Sequence, residues 1–197
     1  MIKTTLGVMD ELKKYASPKA RITRLLKSGS LIQIRRGLYV DSSGVSTRVL
    51  APVIYGPSYV SFQTALAEYG LIPERVEAVL SASFNKNKDK VFRTPLGEYR
   101  YYYLPPAVYP YGILMREEQN SSWLIASPEK ALCDTVYKIP SVSTPADINA
   151  LLLEDLRIER SDLANLDASF IAWISPLYRR KSLSALVRWF EKAGFDD

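Results

Sequence analysis

Residues 17–40, SPKARITRLLKSGSLIQIRRGLYV, constrain the fold more than any other stretch, because a punctuated helix runs almost directly into a tight hairpin. Ser17 suits an N-cap, Pro18 suits the first helical position, where its missing N–H is no loss, and Gly29 suits the position just past the helix end. On a wheel of about 100° per residue, Ile22, Leu25 and Leu26 share one face. Ala20, Thr23, Arg24 and Lys27 lie opposite, with Arg21 and Ser28 flanking. In the hairpin, Ile32 and Ile34 alternate on one side and Leu38 and Val40 continue it, while Gly37 supplies the positive φ that the turn after Arg35 and Arg36 requires.

A helix feeding a two-arginine hairpin is how a winged helix-turn-helix ends, with the helix in the major groove and the wing on backbone or minor groove. The side chains suit that task. Arg21 and Arg24 can take guanine O6 and N7, Ala20 and Thr23 can touch a thymine methyl, and Lys19 and Lys27 can neutralise phosphate. An earlier helix is expected from about Thr5 to Tyr15, with Leu6, Met9 and Leu12 along one side. Only these two helices are legible, so the module is expected in an abbreviated form.

Charge points the same way. Residues 1–47 hold nine Lys and Arg against three Asp and Glu, a net +6, whereas residues 48–197 hold 17 against 18, a net −1. The chain's basic excess therefore lies in an N-terminal polyanion-binding unit, residues 1–47, on a near-neutral body, residues 48–197. The alternative is an ordinary solvated basic face beside a small hairpin.

Histidine is absent and Cys133 is the only cysteine, which excludes disulfides, Cys/His zinc sites and histidine general bases. Carboxylate chemistry with magnesium remains open, and Glu98, Glu129 and Asp134 are its candidates. With 47% hydrophobic and 24% charged residues the chain is expected to be globular, and without a long apolar run it is expected to be cytoplasmic and free of membrane spans.

After a polar linker at about 41–48, the body reads as α+β. Ser61 is placed to cap a helix with Phe62, Ala65, Leu66 and Tyr69 on one face and Gly70 at its end. Strands are expected over 76–83, 91–94, 99–104, 112–116 and 123–126, the last two flanking a turn at EEQNS, in an antiparallel sheet. Tyr99, Tyr101 and Tyr103 share one face of their strand; stacking on bases is one use for them, a half-buried sheet face the commoner one. In SPEKALCDTVY, Ser127 caps, Pro128 starts and Glu129 favours the dipole of a helix with Pro128, Ala131, Leu132, Thr135 and Val136 on one face. The tail is helical, with starts at Thr144 and Ser161 and a last helix carrying Leu183, Leu186, Val187 and Phe190 up to Gly194. Just before it Arg179, Arg180 and Lys181 put cations at a helix N-terminus, where the dipole disfavours them, so the cluster reads either as an anion- or partner-binding surface or as a solvated loop.

The ordered blocks ITRLLKSGSLIQIRRGLYV, PSYVSFQTALAEYGLIP, TPLGEYRYYYL and IASPEKALCD resemble the AbiEi antitoxins of type IV toxin–antitoxin systems. The resemblance implies a winged helix-turn-helix that represses its own operon by binding promoter inverted repeats as double-stranded DNA, with more than one copy on the DNA. It implies too an antitoxin domain that counteracts a nucleotidyltransferase-like toxin without a stable complex. Carried onto this chain, the recognition helix is Pro18 to Ser28, the wing is Leu31 to Val40, and SPEKAL is a structural hallmark of the antitoxin domain. The reading is a non-enzymatic repressor and antitoxin, without cofactor, monomeric in solution, with Lys19, Ala20, Arg21, Thr23, Arg24, Lys27, Arg35 and Arg36 at the DNA. The rival readings are a magnesium-dependent nuclease and a basic protein that binds RNA or an acidic partner.

Overall fold

The computed structural model describes residues 1–41, 44–118 and 121–194. At the N-terminus, β1 (Ile2–Thr4), α1 (Thr5–Glu11), α2 (Pro18–Lys27), β2 (Ile32–Arg35) and β3 (Leu38–Val40) follow one another, and β3 pairs antiparallel with both β1 and β2. β1 carries no sequence signal of its own; it exists because the hairpin offers it a free edge. Thr4 caps α1 by accepting from the Gly7 N–H at 3.2 Å. The expected Leu6–Met9–Leu12 face is corrected, since Leu6 is 82% exposed and Val8 and Leu12 are buried. A two-turn helix needs one contact row, and Val8 and Leu12, four apart, align along the axis better than residues three apart. α1 also stops at Glu11 rather than Tyr15.

Alternation along the hairpin gives the three-stranded sheet two apolar faces. Tyr39 joins Val8, Leu12 and Leu31 in a small core under which Ile22, Leu25 and Leu26 pack. Ile34, Leu38 and Val40 face the other way, into the main core of the body. The sheet is therefore covered on one side by α1 and α2 and on the other by the body. The expected boundary between residues 47 and 48 falls inside the first turn of α3 (Thr47–Ile54); Ser42 and Ser43 of the expected linker lie outside the described residues.

The body is built on a six-stranded sheet in the order β6-β7-β5-β4-β9-β8, from β4 (Ser58–Val60), β5 (Val79–Ser83), β6 (Lys90–Thr94), β7 (Gly97–Tyr103), β8 (Ile113–Glu118) and β9 (Ser121–Ala126). The expectation of an antiparallel sheet is corrected to a mixed one: β5 runs parallel to β7 and β4 parallel to β9. β6 takes the edge outside β7 and so leaves β7 parallel against β5, and the other parallel pair comes from β4, whose three residues are all buried, so no alternation marks it. It takes the position beside β5 and leaves β9 to close on its far side. The first expected strand is also shorter than read, beginning at Val79, and the expected turn at EEQNS includes Gln119 and Asn120, outside the described residues.

α3 packs on β4, β5 and β9. The Tyr101 hydroxyl donates to the Ala51 carbonyl of α3 at 2.7 Å, and Tyr99 and Tyr101 have no exposed surface. Their strand face is core, not a stacking platform. The helices α4 (Phe62–Glu68) and α5 (Pro128–Lys138) pack on each other and on β9, and α8 (Ala168–Ile174) and α9 (Lys181–Ala193) pack on α5. Between them lie α6 (Pro145–Ala150), started by a capping box of Thr144 and Asp147, a π-helical turn over 151–155, and α7 (Arg160–Ala164), which begins after Glu159 rather than at a Ser161 cap. Gly194 ends α9 at φ 69°. No described helix is long and apolar enough to cross a membrane.

Candidate functional site

The outward face of α2 is built as its wheel requires. Lys19, Ala20, Thr23, Arg24 and Lys27 are exposed, while Ile22, Leu25 and Leu26 are half-buried against the small core. Ser17 holds the N-cap position without a side-chain hydrogen bond, so Pro18 at the first helical position carries the start of the helix. The Thr23 hydroxyl donates to the Lys19 carbonyl one turn back at 3.2 Å, which leaves its methyl as the group free for contact. Arg21, expected at the flank, is half-buried with its guanidinium 5.3 Å from the Tyr15 ring, a cation–π contact that draws it toward the turn between the helices. Arg35 and Arg36 are exposed beside Gly37, whose φ of 85° makes the turn, and the register slip between Gln33 and Arg35 twists the hairpin there.

The module's acids are all engaged away from this face. Asp10 pairs with Lys13 at 3.0 Å, Glu11 with Lys3 at 2.7 Å, and Asp41 with Lys3 at 3.6 Å and with the Met1 amino group. The amino terminus holds the Asp41 carboxyl below the usual carboxylate range, and the Glu11 hydrogen bond raises Lys3. Among the described residues none of Lys14, Lys19, Arg21, Arg24, Lys27, Arg35 and Arg36 forms an ion pair, so α2 and the hairpin tip present uncompensated positive charge on one unit.

A second constellation, which the sequence did not reveal, lies in the body. Lys130 and Asp134, one turn apart on α5, are both fully buried and pair at 2.5 Å. The Lys130 Nζ also donates to the Tyr178 hydroxyl at 2.7 Å, and that hydroxyl donates to Asp134 Oδ1 at 2.5 Å. Asp134 Oδ2 accepts from Ser61 Oγ at 2.7 Å and from the Tyr59 hydroxyl at 3.2 Å. Ser61, expected to cap α4, makes no capping bond; its hydroxyl is turned to this carboxylate, to which it donates. Burial first, and then the Asp134 charge, push Tyr59 and Tyr178 well above the usual phenol range, so both stay protonated donors. The expected one-sided face of α5 is corrected as well: every residue from Lys130 to Val136 is buried. A Lys–Asp pair at i, i+4 ordinarily reads as a surface pair. The available signal was its setting, with Ala131, Leu132 and Cys133 inside the pair and Thr135 and Val136 just after it.

This network clamps α5 to the β4–α4 junction and to Tyr178 before α9, and Gly112 seats it. Gly112 adopts φ 64°, and a Cβ there would stand 2.8 Å from the Lys130 Cβ and 2.9 Å from the Phe170 Cζ. Gly112→Ala is therefore expected to lower stability by about 1–3 kcal/mol, read as a shift of the urea midpoint.

The three acids weighed for metal chemistry have separate partners. Asp134 is sealed in the network, Glu98 on β7 pairs with Arg93 at 3.0 Å and Arg100 at 2.6 Å, and Glu129 accepts from Ser127 Oγ at 2.8 Å. Arg179, Arg180 and Lys181 do gather, lining a cavity of about 300 Å³ with Ser143 and Ser182 at the start of α9, and the Arg180 guanidinium lies 5.2 Å from the Tyr137 ring. No family model matches the chain, and no curated protein matches it.

Proposed function

We propose that the chain is a non-enzymatic, sequence-specific DNA-binding repressor of its own promoter that doubles as an antitoxin of the AbiEi kind, opposing a nucleotidyltransferase-like toxin without a stable complex. One observation carries the DNA-binding part: α2 and the hairpin tip expose Lys19, Arg24, Lys27, Arg35 and Arg36 on one small unit while every acid of that unit is paired elsewhere. The unit's architecture supports it. Two helices precede a hairpin, and β1 pairs onto β3; on this reading the unit is an abbreviated winged helix-turn-helix, with α2 as recognition helix and β2–β3 as wing. The antitoxin part rests on the order of the four sequence blocks, and the burial of Lys130 to Asp134 within SPEKALCD supports its reading as a structural hallmark.

The test is a titration of the protein against a duplex of its own upstream region and a scrambled duplex, at two salt concentrations. The expected result is selective binding with a steep negative slope of log affinity against log salt. Equal, weak binding to both duplexes would overturn the repressor reading and leave a general polyanion patch.

A further inference from the structure

The DNA-binding reading leaves one cluster of cations unused, at the start of the 13-residue α9. Arg179 takes φ 52°, Arg180 is extended, and the helix begins at Lys181. Arg180 holds the N-cap position, where a guanidinium has no acceptor to offer, and among the described residues the N–H groups of Lys181, Ser182 and Leu183 are not hydrogen-bonded. Arg179, Arg180, Lys181 and Ser182 line the cavity of about 300 Å³, together with the apolar side chains of Ile139, Pro140 and Val142. The residue that points to a ligand is Ser182. It is only 5% exposed, it lines the cavity, and its hydroxyl has no hydrogen-bond partner among the described residues. A buried hydroxyl is ordinarily satisfied, and a solvated basic loop gives no reason for this one to be left open.

We propose that this cavity binds a phosphate dianion, either free or as the terminal monoester of a mononucleotide. Among the described residues no carboxylate lines it. Asp147, which reaches the lining residue Ser143, has its Oδ2 held by the Ser143 and Thr144 N–H groups at 2.9 and 2.8 Å. The site therefore offers cations, a hydroxyl and helix N–H groups, all of which donate to an anion. A terminal phosphate carries close to two negative charges and three strong acceptor oxygens, enough to take guanidinium and helix N–H groups together. A carboxylate has less charge and fewer oxygens, and a duplex phosphate carries a single charge on a convex backbone. A bound dianion also removes the conflict between three cations and the positive end of the helix dipole. The Arg180 guanidinium is kept at the cavity by its contact with the Tyr137 ring, 5.2 Å away.

This inference does not depend on DNA binding. Its test is calorimetric titration of the full chain with inorganic phosphate and with a 5′-mononucleotide, chloride holding the ionic strength constant and the parent nucleoside serving as blank. Saturable binding of one phosphate group per chain is expected, and Ser182→Ala and Arg179→Asn are each expected to weaken it about tenfold. Asn is chosen because it tolerates the positive φ of Arg179. Lys181→Gln, on the exposed side of the first turn, separates binding from folding: it removes a cation that the dipole disfavours, so the urea midpoint should hold or rise while phosphate binding weakens roughly threefold. A mononucleotide that binds tenfold tighter than phosphate would assign the apolar wall to its nucleoside, and equal affinities would make free phosphate the ligand. Absence of saturable binding by both, phosphate binding indifferent to Ser182→Ala and Arg179→Asn, or variants that weaken duplex binding alone would overturn the proposal.

Discussion

Lys130→Met is expected to cost about 3–5 kcal/mol of folding stability, because it strands a fully buried carboxylate without its counter-charge. Asp134 keeps its bonds from Tyr178, Tyr59 and Ser61, but three neutral donors do not replace the ammonium it loses. Removing both charges, as Lys130→Met with Asp134→Leu, should recover most of the loss, since apolar residues of similar volume can substitute for a buried pair at little cost. Urea unfolding of the two single variants and the double variant forms the cycle that isolates the coupling. A single variant that loses less than about 1 kcal/mol would mean that the pair is not the clamp its geometry describes. The residues proposed to face DNA lie on α2 and the hairpin tip, so at low urea the folded fraction of Lys130→Met should keep wild-type operator affinity.

The residues that were legible in the sequence are those whose role is local. Pro18 at the start of α2, Gly37 in the hairpin turn, the Thr144–Pro145 start of α6 and Gly194 after α9 act within a few residues of themselves, and each stands where its backbone chemistry places it. The outward face of α2 was legible for the same reason, since a helix wheel needs no tertiary partner. What the sequence hid depends on distant chain. β4 is buried on both faces and shows no period, and α3 carries Pro52 in its interior, which reads as a breaker. Arg21 keeps its flanking position, but its contact with the Tyr15 ring, from the preceding turn, is nothing a helix wheel shows. The Lys130–Asp134 network needs Tyr59, Ser61 and Tyr178, residues 44 to 75 positions from Asp134, so no local window contains it.

The two halves also differ in how charge is managed, and that difference supports the division of labour proposed for them. In the body, the exposed Arg93 and Arg100 share Glu98, Arg48 meets Glu68 and Arg157 meets Glu74, so much of its surface charge is locally compensated. In the N-terminal unit the pairs sit around β1 and α1 and leave α2 bare of acid. Exposed pairs contribute little to stability. Their placement matters more for the field they leave, which is positive over α2 and the hairpin tip.

That field gives the second large expected effect. Arg24→Ala is expected to weaken operator binding by about 1–3 kcal/mol while changing affinity for a scrambled duplex much less, as loss of a base-edge contact should. Lys27→Ala, if it meets phosphate, should weaken both duplexes alike and flatten the slope of log affinity against log salt by about one unit. Thr23 separates the two parts of one side chain. Its hydroxyl is tied to the Lys19 carbonyl, so Thr23→Val, which keeps the branched shape and the outward methyl, should leave selectivity intact, whereas Thr23→Ser, which removes the methyl, should relax it. Arg21→Ala should act mainly on the packing against Tyr15 and so lower stability more than selectivity. Filter or anisotropy titrations of these variants on operator and scrambled duplexes test the whole set together. If Arg24→Ala and both Thr23 variants all bind the operator as the wild type does, α2 is not the recognition helix, and the hairpin tip at Arg35 and Arg36 becomes the place to look.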